Sequence, residues 1–388
     1  MRLLFVADGR SPIALNWIRY FVDRGDSVFL ASTFDCTPDL GLQGMEITPV
    51  AFSRSRSKGP PVQRSTSRSR QWRTSVRHWL GPLTVARDAR RLRDYASRVR
   101  PDVVHAMRIP FEAMLAADAY GPAPLIISVW GNDFTLHAAS TPLMRHYTGW
   151  TMRVADALHA DCRRDVRLAR QWGLEASKPT LVVPGAGGIR PDVFFPAKVP
   201  AADPTVVNAR GARSYVRTDV FFKAIPLVLA HIPGARFRCV AMAGDPDATA
   251  LVERLRIKHA VEMMPALSQN ALAEVLRSSQ VMVSPALHDG TPNTLLEGMA
   301  CGCFPIAGDL ESIREWIRPG ENGLVVDATN PEQLAQAILQ ALEDKDLRRD
   351  AAGRNQQLIH QRAEYSRCMG RVAEFYDEAL AASRGAGS

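Results

Sequence analysis

The chain has 388 residues, of which 46% are apolar and 23% are charged. This length suffices for two domains with cores of their own, and the composition is that of a globular protein. The sequence contains no apolar run of about eighteen residues, so we expect no transmembrane helix. Its six cysteines lack zinc-site spacing even at Cys301 and Cys303, so we expect buried thiols in a reducing cytosol and no metal site.

In the amino-terminal half, short apolar strands alternate with segments of helical periodicity. Strands are predicted at 2–7, 27–32, 103–106, 125–129, 157–160 and 181–183, and helices at 13–24 and 84–98. The opening strand is too short and too quickly polar to be a signal peptide. The alternation predicts a parallel sheet with helices on both faces.

A stretch rich in Gly and Pro at 185–205 is typical of a connection between domains. A second series of strands follows it, at 205–208, 236–241, 281–284, 304–307 and 324–326, and a last helix is predicted at 362–381. We therefore predict an α/β fold with two Rossmann-like, doubly wound parallel-sheet domains and a ligand cleft at the carboxyl ends of the strands. The predicted domains are 1–190, with a basic loop at 53–80, and 191–365, followed by 366–388, which holds the end of the last helix and a tail.

The most informative segment is DGTPNTLLEGMACG, residues 289–302. It follows a predicted strand and reads as a tight loop and a helix, with Thr291 as N-cap, Pro292 at the first helical position and Gly302 just past the end. The free N–H groups of such a helix start bind phosphate. The carboxylates of Asp289 and Glu297 would repel phosphate, so we expect them to accept hydrogen bonds from hydroxyls beside it. A sugar and a ribose flanking a diphosphate fit this pattern, which indicates a nucleotide-sugar.

This segment resembles the acid-x7-acid motif of the retaining family-4 glycosyltransferases (group 1), whose fold is the two-domain GT-B fold. The first acid of that motif is usually Glu, and here it is Asp289. The resemblance continues to Pro305 and again from Pro319 to Asp327, and it extends weakly over nearly the whole chain. It implies glycosyl transfer from an NDP-sugar with retention at the anomeric carbon, with no metal cofactor.

The resemblance also implies roles for residues of the second domain. Arg210, with Arg213 as a competitor, and Arg217 would bind the donor diphosphate and stabilise it as it leaves. Asp289 would bind a donor-sugar hydroxyl and Glu297 the ribose, neither with a perturbed pKa, while Gly290, Thr291 and Asn293 would cradle the phosphate and sugar. A solvated arginine loop, and an Asp289 that only caps its own turn, are the structural alternatives.

In the first domain, three residues are predicted to face the acceptor. Gly9 lies in the loop after the first strand, Trp130 could stack on a sugar face, and Asp133 could bind a hydroxyl. Many family members have His where this chain has Trp130, and a core aromatic is the alternative. His105 is interpreted as a hydrogen-bonded histidine at a strand end, not as a base.

Residues 54–100 hold fourteen Lys or Arg and two Asp, whereas the whole chain has a net charge of +8. The low-complexity part of this region, with Trp72 and Trp79 after it, could lie on an anionic membrane through segment 54–77, which suits a cell-envelope glycan or lipid-linked acceptor. A solvated loop without a partner is the alternative, and no nucleic-acid motif is present.

We expect a cytoplasmic enzyme, with peripheral membrane attachment as one hypothesis. A non-catalytic nucleotide-sugar- or glycan-binding protein and a sugar-nucleotide epimerase are the competing hypotheses.

Overall fold

The computed structural model describes residues 1–53, 75–199 and 201–385, which form two compact units. Of these residues, unit 1 holds those up to Gly188 and those from Ser366 onward, and unit 2 holds Ile189–Tyr365. Most of the arginine-rich segment 54–77 and Trp72 therefore lie outside the described residues. Among the described residues, no helix is both long and apolar enough to span a membrane.

Unit 1 is built on a parallel sheet of seven described strands in the order β3-β2-β1-β4-β5-β6-β7. The strands are β1 (Arg2–Ala7), β2 (Ser27–Ser32), β3 (Gly44–Ile47), β4 (Val103–Met107), β5 (Leu125–Val129), β6 (Ala157–Ala160) and β7 (Thr180–Val182). Its main helices are Pro12–Asp23, Pro82–Val99, Met114–Asp118, Pro142–Val154 and Arg163–Gln171, together with most of Tyr365–Gly385.

The first helix shows how local sequence and core packing agree in unit 1. The Ser11 side chain caps its start, Pro12 follows where no N–H is needed, and Gly25 ends it with a φ of 90°. Its buried face carries Trp17 and Phe21, which meet Tyr376 of the last helix. The Trp17 Nε1 donates to the Tyr376 hydroxyl at 3.0 Å, and the rings of Phe21 and Tyr376 stack with centroids 4.8 Å apart. The last helix is thus part of the core of unit 1.

Unit 2 is built on a parallel sheet of six described strands in the order β10-β9-β8-β11-β12-β13. The strands are β8 (Thr205–Asn208), β9 (Arg236–Cys239), β10 (Val261–Met263), β11 (Val281–Ser284), β12 (Phe304–Gly308) and β13 (Leu324–Val326). Its helices are Thr218–His231, Pro246–Arg254, Gln269–Arg277, Asn293–Ala300, Pro331–Glu343 and Lys345–Arg362. Phe221, Phe222 and Phe237 lie fully buried in its core.

These two parallel sheets confirm the predicted α/β class. Two strands are additions to the prediction: β3 and β10, each at a sheet edge. The predicted N-cap at Thr291 is wrong, because the helix begins at Asn293, Pro292 is the N-cap, and the Thr291 hydroxyl accepts a hydrogen bond from Trp316 Nε1 at 2.9 Å. Gly302 has a φ of 90° directly after the helix, as predicted for its C-terminal end.

Candidate functional site

Arg210 and Asp289 lie on the loops that follow two neighbouring strands of unit 2. β8 and β11 are parallel and hydrogen-bonded to each other, so both loops leave the same edge of the sheet. The Arg210 guanidinium forms an ion pair with the Asp289 carboxylate, and the two side chains are only 10% and 11% exposed. Arg210 Nη1 also donates to Thr294 Oγ1 at 3.3 Å, which joins both loops to the start of the helix Asn293–Ala300.

The loop around Asp289 is held in place by side chains from residues 312–316. Ser312 Oγ donates to the Asp289 carbonyl oxygen at 2.8 Å, and Trp316 makes the bond to Thr291 described above. Asp289 Oδ1 also accepts from the N–H of Gly290 at 3.1 Å. The turn-capping contact, which was the structural alternative for Asp289, therefore coexists with its ion pair, and hydrogen bonds from Ser312 and Trp316 hold the loop.

Glu297 lies one helical turn beyond Thr294; the residue as a whole is half-buried, but its carboxyl oxygen Oε2 is enclosed. Burial raises the pKa of its carboxyl to about 7, and the nearby Arg210 cation opposes that rise. This corrects the expectation that Glu297 has an ordinary pKa, because the sequence does not reveal how little water reaches this side chain. Near neutral pH the carboxyl therefore exchanges readily between its charged and neutral forms.

Five enclosed polar atoms around these residues have no hydrogen-bond partner within the described part of the chain. They are Asn208 Nδ2, Arg210 Nε, Ser284 Oγ, Asn293 Oδ1 and Glu297 Oε2. Most buried polar groups in native proteins are hydrogen-bonded, so a group of unsatisfied ones marks a place where something polar binds. The set mixes donors and acceptors, which suits a ligand with both anionic oxygens and hydroxyls.

Asn208 and Ser284 are absent from the sequence-based site. Each is the last residue of its strand, and the two strands are neighbours in the sheet. A polar residue at the carboxyl end of an otherwise apolar strand is the signal that could have identified both.

The other predicted cations have partners of their own. Arg213 is exposed and donates to the Tyr215 hydroxyl at 3.0 Å. Arg217 has a left-handed backbone, with a φ of 49°, and donates through Nε and Nη2 to Asp219 at 2.9 and 3.1 Å. Lys223 lies on the helix Thr218–His231, as expected, and also contacts Asp219. Roles for Arg213 and Arg217 at a diphosphate stay predictions.

Unit 1 contains a cavity of about 340 Å³ at the carboxyl ends of β1, β4 and β5. Trp130 lines it, as do Asp8 and Arg10. Gly9 lies behind the cavity wall, where its N–H donates to Ser32 Oγ at 3.1 Å and a Cβ would come within 2.4 Å of Cys36 Sγ. The predicted contact of Gly9 with an acceptor is therefore corrected to a packing role, while its neighbours Asp8 and Arg10 face the space.

Asp133 does not face the cavity, which corrects its predicted role in binding a hydroxyl. The side chain is fully buried, and its oxygens accept from Arg108 Nε at 3.1 Å, the Ile109 N–H at 3.3 Å and the Trp130 N–H at 3.1 Å. Burial raises the pKa of its carboxyl, against the pull of Arg108. Asp133 thus fixes the loop that presents Trp130. A carboxylate in a loop suggests exposure, and only the fold reveals its burial.

His105 is fully hydrogen-bonded within the core, which confirms the interpretation made from its sequence position. It bonds through Nδ1 to the Tyr376 hydroxyl and through Nε2 to Ser128 Oγ.

Of the described residues, Asp161, Cys162 and Asp165 form the group that comes close enough together to hold a metal ion. Arg164 already pairs with Asp165 in this group, at 2.8 Å.

Two family models match the sequence. The model described as "Glycosyl transferases group 1" matches residues 205–344, and the model described as "Glycosyl transferase 4-like domain" matches residues 9–185. A D-inositol 3-phosphate glycosyltransferase of Thermobispora bispora is 29% identical over 248 residues, which are 58% of this chain and 57% of that protein. The protein of the same name from Rhodococcus opacus is 29% identical over 189 residues, 44% of this chain and 42% of its own length. The chain thus spans about half the length of the curated relatives it matches.

Two solved structures share the fold of nearly the whole chain. Sucrose-phosphate synthase of Thermosynechococcus elongatus superposes with a TM-score of 0.75 at 15% identity, covering 98% of this chain and 100% of its own. HepE of Anabaena, in complex with UDP, superposes with a TM-score of 0.73 at 15% identity, covering 97% of this chain and 100% of its own. At such low identity the likeness concerns the fold alone, and it confirms the predicted GT-B class.

Proposed function

Because this chain belongs to the group 1 glycosyltransferases and has their GT-B fold, we propose that it transfers a sugar from a nucleoside-diphosphate sugar to a hydroxyl acceptor. One observation carries the proposal: the unsatisfied polar atoms around Arg210 and Glu297, at the carboxyl ends of β8 and β11. Parallel α/β sheets bind nucleotides at this edge. A donor supplies the hydroxyls and phosphate oxygens that these atoms lack.

In this proposal Arg210 binds the diphosphate and stabilises its added charge as the glycosidic bond breaks. The N–H groups at the start of the helix Asn293–Ala300 add further donors to the same oxygens. Glu297 accepts from the ribose hydroxyls, and Asp289 accepts from a hydroxyl of the transferred sugar. Retention at the anomeric carbon and independence of metal rest on the family alone, and we name no protein nucleophile or general base.

UDP is the first nucleotide to test. HepE is described as a complex with UDP and, in a further structure, with UDP-glucose. For the acceptor, we propose a hydroxyl of a cell-envelope glycan or of a lipid-linked sugar. The curated relatives named above act, by their names, on an inositol phosphate, which also offers hydroxyls to a donor.

The test is a thermal-shift panel with UDP, GDP, ADP and CDP on wild type, Glu297→Ala and the exposed control Glu343→Ala. A nucleotide at 100 times its Kd adds about 2.7 kcal/mol of stability. We expect one nucleotide to stabilise wild type and the control, with the shift lost in Glu297→Ala. No shift from any nucleotide at millimolar concentration would contradict the proposal and favour a non-catalytic protein. Turnover of the matching NDP-sugar to an epimer instead of a glycoside would favour the epimerase.

We also propose that unit 1 attaches peripherally to an anionic membrane, on the cytoplasmic face. Trp79 and Leu80, just before the helix Pro82–Val99, and Leu83, in its first turn, are 56%, 47% and 64% exposed. Three exposed arginines follow on this helix: Arg87, Arg90 and Arg91. They come four, seven and eight residues after Leu83, so they lie on the same face of the helix as Leu83. Apolar side chains with arginines beside them suit a lipid interface, where each cation contributes about 1 kcal/mol.

Flotation with vesicles tests the attachment. Wild type is expected to float with phosphatidylglycerol vesicles but not with phosphatidylcholine vesicles, and Leu83→Ser with Trp79→Ser should reduce flotation at least about tenfold. The matched control is Leu287→Ser, a 40% exposed leucine of unit 2. Equal flotation of the double variant and wild type would contradict this attachment.

A further inference from the structure

The cavity of unit 1 is lined by three arginines: Arg10, Arg77 and Arg108. The carboxylates on the same wall are Asp8 and Glu112. Asp8 is already engaged by Arg10, whose Nε and Nη2 each donate to it at 3.0 Å. Glu112 accepts from Thr33 Oγ1 at 2.7 Å, and burial raises the pKa of its carboxyl. The lining thus carries three arginines against two carboxylates, an excess of one positive charge, while Arg108 also pairs with Asp133 behind the wall.

Arg77 has the most unusual position of the three. Its guanidinium lies 4.5 Å from the ring centre of Phe111 and 5.3 Å from that of Phe34. Its Nε is enclosed and finds no acceptor among the residues that the structure describes. Burial lowers the pKa of Arg77, the nearby Glu112 and Asp8 carboxylates oppose the fall, and Arg108 and Arg10 add to it. A buried guanidinium with an unused donor is costly unless an acceptor joins it.

Trp130 provides a second unused donor on the same wall. Its Nε1 is enclosed and has no hydrogen-bond partner within the described residues. The ring packs on Gly185, where an added Cβ would lie 3.4 Å from Trp130 Cδ1. Its indole is therefore held in place with its N–H unsatisfied.

The backbone beneath the cavity is strained. Arg108 has a φ of 116° and Phe111 a φ of 80°, and neither is a glycine. Asp133 holds this segment through Arg108 Nε and the Ile109 N–H, as described above. Strained backbone persists where the surrounding structure enforces it, and such positions cluster at ligand sites. Arg108, one of the two strained residues, lies on the cavity wall.

From this geometry we infer that the unit 1 cavity binds the anionic group, a phosphate or a carboxylate, of the molecule that accepts the sugar. Arg77 and Arg108 bind its oxygens, and Trp130 Nε1 donates to the same group or to a neighbouring hydroxyl. At about 340 Å³ the cavity has the size of a small-ligand site and holds a phosphorylated or acidic monosaccharide. The inference rests on the proposed function only in identifying the ligand as the acceptor.

Calorimetry with four probes tests the site: glucose 6-phosphate, glucuronate, inorganic phosphate and uncharged glucose. The proteins are wild type, Arg77→Gln, Arg77→Lys, Trp130→Phe and the control Arg170→Gln, an exposed arginine of unit 1 outside the cavity. Wild type and the control are expected to bind at least one anionic sugar at least about tenfold more tightly than glucose. Arg77→Gln should lose this preference, since a charge-assisted bond to a guanidinium contributes about a factor of ten or more. Arg77→Lys should restore part of it.

The probes also separate the two sources of the anion. Preference for glucose 6-phosphate identifies a phosphate monoester, and preference for glucuronate identifies a uronic acid; either supports the inference. Equal affinity for glucose and both anions, or unchanged binding in Arg77→Gln and Trp130→Phe, would overturn it. The nucleotide shift of each folded variant is measured in parallel. A nucleotide-dependent thermal shift without anion binding would contradict only this inference. Anion binding without any nucleotide-dependent shift would contradict only the proposed donor site.

Discussion

Arg210 and Asp289 neutralise each other across 79 residues of sequence, from the ends of two adjacent strands. The predicted phosphate-binding cation and the predicted sugar-binding acid therefore form one ion pair. A donor that binds there brings its own negative charge to Arg210. We infer that the diphosphate takes over part of the interaction of Arg210, which leaves Asp289 available to a sugar hydroxyl.

The first prediction concerns that pair. Arg210→Gln and Asp289→Asn each leave a mostly buried polar partner without its counterion, so each should lower the free energy of unfolding by about 1–3 kcal/mol. The double variant should lose less than the sum of the two. Urea unfolding of all four proteins gives the coupling energy. If the proposed function holds, kcat of the glycosyl transfer should fall about 100-fold or more in Arg210→Gln, because the charge of Arg210 would then stabilise the departing diphosphate.

The surface pair of Arg314 and Asp309 is the control, with side chains 51% and 44% exposed. Arg314→Gln should leave both stability and kcat nearly unaltered, because an exposed ion pair is screened by solvent. Strictly additive losses at Arg210 and Asp289 would mean that the two side chains do not interact in solution.

The second prediction concerns the carboxyl of Glu297, whose pKa burial raises to about 7. The folded state then holds a proton that the unfolded state has released above about pH 4.5, so this group costs stability as pH rises from about 4.5 to 7. Glu297→Gln removes the titration. Relative to wild type it should gain about 2 kcal/mol between pH 5 and pH 8, while its nucleotide-dependent thermal shift falls. Thermal unfolding across this range measures the difference.

Glu343→Gln, at an exposed position, should show no such pH-dependent difference. A constant offset between Glu297→Gln and wild type from pH 5 to pH 8 would show that the carboxyl titrates normally.

Most strands could be predicted because central parallel strands are buried on both faces and form short apolar runs. β5, β8 and β11 match their predicted bounds. The strands β3 and β10 could not be predicted in this way. Both lie at a sheet edge, and their residues are partly exposed and include Glu46 and Glu262.

Some features of the candidate site could also be predicted from a local sequence pattern, whereas others depend on contacts between residues far apart in the sequence. The loop at Asp289 and the helix carrying Glu297 follow from a local pattern of strand, turn and helix. The burial of Asp133 does not, because its partners Arg108 and Ile109 come from another strand end. Likewise, the raised pKa of Glu297 depends on side chains packed around it by the fold.

The third prediction concerns a buried chain of hydrogen bonds in unit 1. His159 Nε2 donates to the Val183 carbonyl at 3.0 Å, so its Nδ1 must accept from Ser128 Oγ, at 2.8 Å. That hydroxyl then accepts from His105 Nε2. This arrangement requires both imidazoles to be neutral, and burial favours that state because it lowers the pKa of each, that of His159 to about 4.

An unfolded histidine takes up a proton below about pH 6.5, whereas folded His159 resists protonation down to about pH 4. The contribution of this residue is thus fully present above pH 6.5 and falls as the pH is lowered, by about 2 kcal/mol at pH 5. His159→Gln should be less stable than wild type at pH 8, and that deficit should shrink by this amount at pH 5. The exposed His146→Gln serves as the control. A deficit that stays constant with pH would show that His159 is protonated in the folded state.

The last prediction concerns the backbone beside the donor site. Gly308, at the end of β12, approaches the chain just past β11 so closely that a Cβ would lie 2.3 Å from the carbonyl oxygen of Ala286. That obstacle is backbone and cannot rotate away, so Gly308→Ala must displace the segment between Ser284 and Asp289. We expect the free energy of unfolding to fall by about 2 kcal/mol or more and the nucleotide to bind more weakly.

Gly353→Ala is the matched control, because Gly353 is exposed in the helix Lys345–Arg362 with open space at its Cβ position. It should gain about 0.5–1 kcal/mol from helix propensity alone. Urea unfolding and UDP thermal shifts on both variants decide the matter, and equal effects of the two substitutions would show that this close approach does not shape the site.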